Sequence, residues 1–104
     1  AVAGGIRVLL EQRGVTADDI ASVELAGGFG NYLSPENVVR IGMLPRACLS
    51  KIRPLGNAAL AGASMLALDG ENWRKLAEIP EKCRYLELSG RDDFSRAFTD
   101  HLTF

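Results

Sequence analysis

The stretch Ser22-Val23-Glu24-Leu25-Ala26-Gly27-Gly28-Phe29-Gly30-Asn31, followed closely by Ser34-Pro35-Glu36, decides how this chain is read. Alternating apolar positions run into a glycine-dense turn. A serine cap then stands before a proline at the first helical position. This predicts a strand over Ser22–Leu25 and a helix from Pro35 to about Ile41, stopped at Gly42. Downstream, Lys51-Ile52-Arg53-Pro54-Leu55 predicts a second strand, with Pro54 placing it at an edge or a strand end. Gly56-Asn57 follows as a second turn, then a charge-free helix over Ala58–Leu68. Strand, glycine turn, helix, strand and Asn-capped helix in that order make a parallel crossover, whose strands are expected to pair directly with a right-handed connection. Ligands of such sheets gather at the carboxyl ends of the strands. Both glycine turns fall there, so they are expected to line one crevice.

Working outward, Val2, Ile6, Leu9 and Leu10 recur at helical spacing, with Arg7 and Glu11 on the other side and Gly14 as a left-handed stop. Gly4 and Gly5 each weaken a helix by about 1 kcal/mol relative to Ala, so a close neighbour is expected to require them. The chain opens in helical period without Met or a capping residue, as expected of the C-terminal piece of a longer protein. Thr16-Ala17-Asp18-Asp19 has the pattern of a capped single turn. Glu71–Ile79 is amphipathic, and Pro80 is expected to break or kink it. Tyr85-Leu86-Glu87-Leu88 alternates like a third strand. Ser89 to Leu102 carries a capping pattern and then Phe94, Phe98 and Leu102 at helical spacing, with Trp73, Phe94 and Phe98 expected in the core.

Composition narrows the function. The 104 residues hold 12 Lys+Arg and 13 Asp+Glu for a net charge of -1, which excludes a generally basic nucleic-acid binder. Hydrophobic residues at 47% and charged residues at 24% are the mixture of an ordinary folded domain, not of a disordered chain. The longest uncharged run, Pro54 to Leu68, is too short for a membrane span. Cys48 and Cys83 form no C-x-x-C pattern and suit packed free thiols in a reducing cytoplasm.

Glycine at 27 and 28 permits positive φ and lets a flat or anionic ligand touch bare backbone. Successive N–H groups there suit an anion-binding nest, and Asn31 suits a purine edge or a ribose. Gly27, Gly28 and Gly30 also suit a plain strand-to-helix turn, and their spacing matches neither G-x-G-x-x-G nor a P-loop. Asp18-Asp19 and Asp92-Asp93 suit helix N-termini better than paired catalysis. His101 is the only histidine and is expected at the surface. No catalytic nucleophile and no metal site is expected from these residues.

Four runs carry a family resemblance: Leu25–Asn37, Arg40–Pro45, Gly56–Ala63 and Tyr85–Ser89. Together they resemble the C-terminal end of the reductive activators of corrinoid proteins. These are ferredoxin-like iron–sulfur proteins carrying an ATPase domain of the actin, sugar-kinase and heat-shock-chaperone superfamily. The resemblance covers nearly the whole chain. It implies an α/β fragment of a ribonuclease-H-like ATPase lobe, with about three strands and flanking helices. Residues 1–104 would be a single C-terminal part of that domain, with the iron–sulfur and phosphate-binding parts upstream. It further implies that Gly27, Gly28 and Gly30 form the adenosine motif, that Phe29 and Asn31 flank the adenine or ribose, and that Asn57 approaches the nucleotide from the other side. ATP and an iron–sulfur cluster would belong to the parent protein, and the isolated piece would be catalytically silent. The implied partner is a corrinoid protein or a corrinoid-dependent methyltransferase. The alternative is a non-catalytic docking module on an ATPase-like scaffold, with the Val2/Ile6/Leu9 stripe favouring a homodimer.

Overall fold

The structure, a computed structural model, describes residues 1–28, 30 and 32–103. Helix α1 spans Val2–Arg13 and ends at Gly14 in the left-handed region (φ 69°), whose N–H bonds back to the Glu11 carbonyl. A 3₁₀ turn at Ala17–Asp19 is closed by a capping box: the Asp19 carboxylate accepts from both the N–H (2.8 Å) and the hydroxyl (3.0 Å) of Thr16. These two bonds, the backbone one first, hold the Asp19 carboxyl below the usual carboxylate range. Strand β1 (Val23–Ala26) leads through the glycine turn to α2 (Pro35–Arg40), and a 3₁₀ helix at Arg46–Lys51 leads into β2 (Ile52–Gly56). Then come α3 (Ala58–Leu68), α4 (Glu71–Lys82) and α5 (Asp92–Asp100).

The two strands pair in parallel, so the α/β class and the direct pairing of β1 with β2 hold. The register runs Val23 with Ile52, Glu24 with Arg53 and Leu25 with Pro54, then Ala26 with Gly56. Leu55 is therefore passed over by a bulge, which carries the chain beyond Pro54, a residue that cannot donate to the ladder.

The third strand is a correction. Tyr85–Leu88 lies outside the sheet, so the described residues contain two strands where about three were expected. Its alternation serves local bonds instead: the Glu87 carboxylate accepts from the Tyr85 hydroxyl and from the Ser89 N–H. Leu88 reaches α1, where its Cδ1 would lie 3.3 Å from a β-carbon at Gly5.

The buried residues sit in two regions of the chain. Val8 and Ala97 belong to α1 and α5, which pack against each other. Val38 belongs to α2, Cys48 to the 3₁₀ helix after it, and Leu44 to the segment between them. In α1 the buried face is Gly4, Gly5 and Val8, while Val2 and Leu9 are exposed. The face is chosen by backbone approach, because a β-carbon on Gly4 would stand 3.0 Å from the Phe98 nitrogen and 3.2 Å from its Cα. Arg7 adds a link between the two helices, donating to Glu11 and to Asp100.

Three further expectations shift. Helix α4 continues through Pro80 to Lys82, so the proline removes one backbone donor near the end of the helix without stopping it there. Helix α5 begins at Asp92, after Gly90 at φ 77°, so Ser89 is not its cap; Asp93 instead accepts from the guanidinium of Arg91 and the N–H of Phe94. Trp73 is 60% exposed and Phe98 39% exposed, so neither is core, although the Phe94 and Phe98 rings still face each other at 6.3 Å. Helix α3 buries no residue, despite having no charged side chain.

Candidate nucleotide-facing site

The site is built where the two strands end. At the carboxyl end of β1, Gly27 takes φ 96°, a conformation that a β-carbon disfavours. At the end of β2, Gly56 takes φ 68°. The Gly27 N–H donates to the Gly56 carbonyl at 2.8 Å, so the two turns lie side by side and are joined directly. The Gly30 N–H turns back to the Gly27 carbonyl at 3.1 Å. The anion nest expected here is therefore weakened by its own bonding: the donors of Gly27 and Gly30 are spent inside the turn pair.

The three glycines have different reasons to be glycine. Gly30 is buried, and a β-carbon there would meet the Leu25 carbonyl oxygen at 2.9 Å, so its requirement is internal packing. Gly27 is required by its backbone angle. Gly28 is exposed, is not in the positive-φ region, and a β-carbon built on it would meet no atom of the described residues beyond its chain neighbours within 4 Å. Neither strain nor crowding within the described residues demands glycine at 28. Among the described residues the space beside it is open.

Asn57 begins α3. Its Oδ1 accepts from the Leu60 N–H at 3.0 Å, which caps the helix. Its side-chain NH₂ makes no hydrogen bond to the described residues and is exposed beside the Gly56 turn. Phe29 and Asn31, named above as flanking residues, lie outside the described residues. Ser34 caps α2: its hydroxyl donates to Glu36 at 2.7 Å and accepts from the Asn37 N–H. The hydroxyl bond lowers the Glu36 pKa. Among the described residues no three His, Cys, Asp or Glu side chains gather as metal ligands would. No described helix is long and apolar enough to cross a membrane. His101 is exposed, with Nδ1 2.7 Å from the Ala97 carbonyl.

The comparison with known families falls on this geometry. The family described as the C-terminal domain of RACo, the ASKHA domain, matches residues 1–104. The chain belongs to that family. Its ASKHA fold is matched in a solved structure titled "Reductive activator for corrinoid,iron-sulfur protein", at 34% identity over 95% of this chain with a TM-score of 0.86. A relative from Eubacterium limosum, the corrinoid activation enzyme RamQ, is 30% identical over all 104 residues. The chain spans 18% of the length of RamQ and 16% of that of the solved activator.

The sequence alone did not separate Gly30 from Gly28, because spacing says nothing about what a side chain would meet. Nor did it indicate the bond between Gly27 and Gly56, which joins residues far apart in the chain. The bulge at Leu55 is what brings Gly56 level with Ala26. Pro54 is its one visible sequence signal.

Proposed function

We propose that this chain forms the adenosine-side wall of an ATP-dependent reductive activator, a protein that returns cob(II)alamin partners to the cobalt(I) state with an electron from an iron–sulfur cluster elsewhere in its length. Residues 1–104 are then one C-terminal part of its ATPase domain, working in the cytoplasm on a corrinoid protein or corrinoid-dependent methyltransferase. The reading is supported by the names of the two relatives and by the ASKHA family of the chain. The observation that carries it is Gly28, a bare and unstrained backbone position under open space, next to two turns held together by one hydrogen bond.

ATP, when bound, supplies the free energy that makes the low-potential electron transfer favourable. The part of this chain is to bind and orient. Gly27 and Gly28 offer a flat backbone surface to the nucleoside. Asn57 holds its oxygen on the helix and presents its NH₂ as a donor to a ring nitrogen or a ribose oxygen. With the Gly27 and Gly30 donors already spent, this wall serves the nucleoside rather than the phosphates.

The test is Gly28→Val in the full-length protein, with ATP affinity read by calorimetric titration. A valine here meets no atom of the described residues close to its β-carbon, so the fold is expected to be retained while the nucleoside face is filled. Overpacking a fitted site costs about 1–3 kcal/mol, or roughly a 5-fold to 150-fold loss of affinity. Unchanged affinity with an intact far-UV spectrum refutes the reading.

A second reading has its own support. Val2, Leu9 and, on α3, Leu60, Met65 and Leu68 are exposed, as a homodimerising docking module requires. Sedimentation equilibrium that fits a strict monomer at high concentration removes it.

A further inference from the structure

A cleft of about 570 Å³ opens between α1, the segment following α2 and the end of α5, well removed in sequence from the glycine turns. Its lining holds the apolar side chains of Ile6, Leu10 and Met43 together with Arg7, Arg40, Arg46 and His101. The one carboxylate lining it, Glu11, is already engaged by Arg7 at 3.0 Å. Arg40 and Arg46 are exposed and form no ion pair among the described residues. Glu36, one helical turn before Arg40, is bonded by the Ser34 hydroxyl instead.

A second hollow of about 490 Å³ shares the same two arginines and is also lined by Val39, Leu49, Asn37 and Glu36, the last with its carboxylate taken up by the Ser34 hydroxyl. Arg40 and Arg46 line both hollows. They therefore stand on the ridge between two partly apolar recesses. A compact small anion would use one recess and leave the other empty. An extended chain with a carboxylate pair between apolar side chains would use both recesses and both cations.

We infer that the ridge at Arg40 and Arg46, with the recess on each side of it, is a docking surface for an acidic segment of a protein partner, whose carboxylates pair with the two guanidiniums while flanking apolar side chains fill the recesses. Arginine suits this role because its planar fork grips a carboxylate with two parallel bonds, and its weak hydration lowers the cost of burying it at an interface. The segment is defined by its chemistry, and the inference does not depend on nucleotide binding at Gly28.

The probe is a fluorescein-labelled peptide with the repeat Leu-Glu-Glu-Leu, titrated with the 104-residue chain and read by anisotropy. Wild-type chain is expected to bind it, with affinity falling as salt rises. The double change Arg40→Glu and Arg46→Glu is expected to weaken binding by about tenfold or more and to turn preference toward the Leu-Lys-Lys-Leu counterpart. Lys75→Glu, beside the separate apolar groove between α3 and α4, is expected to leave binding unchanged. Both arginines are exposed, and circular dichroism confirms that the variants fold. Should the double variant unfold, Arg46→Glu alone and the salt series on wild-type protein decide. The inference is overturned by unchanged affinity on charge reversal, by salt-insensitive binding, or by a wild-type chain that binds neither the acidic peptide nor its counterpart selectively.

Discussion

Replacing Gly4 by alanine separates two opposing effects that this fold sets against each other. In an open helix the change is favourable by about 1 kcal/mol, because glycine loses more backbone freedom on folding. At Gly4 the new β-carbon would stand 3.0 Å from the nitrogen, and 3.2 Å from the Cα, of Phe98, with the Ala97 carbonyl carbon at 3.3 Å. All three are backbone atoms of α5, so relief requires moving a helix and not rotating a side chain. Overpacking of this kind costs about 1–3 kcal/mol. The loss outweighs the gain, and Gly4→Ala should destabilise the chain by about 1 kcal/mol net, a fall of roughly 4–8 °C in Tm for a domain of this size. Two comparisons isolate the cause. Gly5→Ala meets only the end of the Leu88 side chain at 3.3 Å, which can move, and should be close to neutral. Gly62→Ala in α3 meets nothing within 4 Å and should raise Tm by a similar few degrees. Urea and thermal unfolding of the three variants supply the values. If Gly4→Ala stabilises as much as Gly62→Ala, the close crossing of α1 and α5 is refuted.

Two more outcomes follow from the same coordinates. Cys48 is buried and Cys83 is exposed, so Ellman's reagent should react quickly with Cys83 alone under native conditions, and Cys83→Ser should abolish the fast phase. Asp19, Glu36, Glu87 and Asp93 all have lowered pKa values through hydrogen bonds to Thr16, Ser34, Tyr85 and Arg91 respectively. A lowered folded-state pKa stabilises above the unfolded value and is lost as pH falls through the folded one, so Tm should drop on acidification below about pH 4, and Asp19→Asn should flatten that drop. An identical pH profile for Asp19→Asn and wild type counts against the capping box at Thr16.

Local signals in this chain translated directly into local structure. Ser34-Pro35 started α2, Gly14 stopped α1, Asn57 opened α3, and Thr16 with Asp19 closed a single turn, because each of these devices acts within four residues. The parallel pairing was legible too, since strand, turn, helix and strand in that order admit few topologies. Partner choice was harder. Tyr85–Leu88 alternates like a strand, but alternation does not specify a free sheet edge to join. In α1 the apolar stripe pointed to Val2 and Leu9, whereas Gly4 and Gly5 chose the buried face through the nearness of α5 and Leu88. The site shows the same division. The turns at 27–28 and 56–57 could be placed at one end of the sheet from sequence, while the separate reasons for Gly27, Gly28 and Gly30 depend on atoms only a structure supplies. The ridge at Arg40 and Arg46 draws its surroundings from three distant segments and leaves no local pattern at all.

The bond from Gly27 to Gly56 also has a mechanical meaning. Gly27 leaves β1 and Gly56 stands directly before the cap of α3, so a single 2.8 Å bond ties the exit of one strand to the entry of that helix. A push on the turn after β1 is thereby handed to the first turn of α3, and a ribbon of only two described strands has little stiffness with which to absorb it.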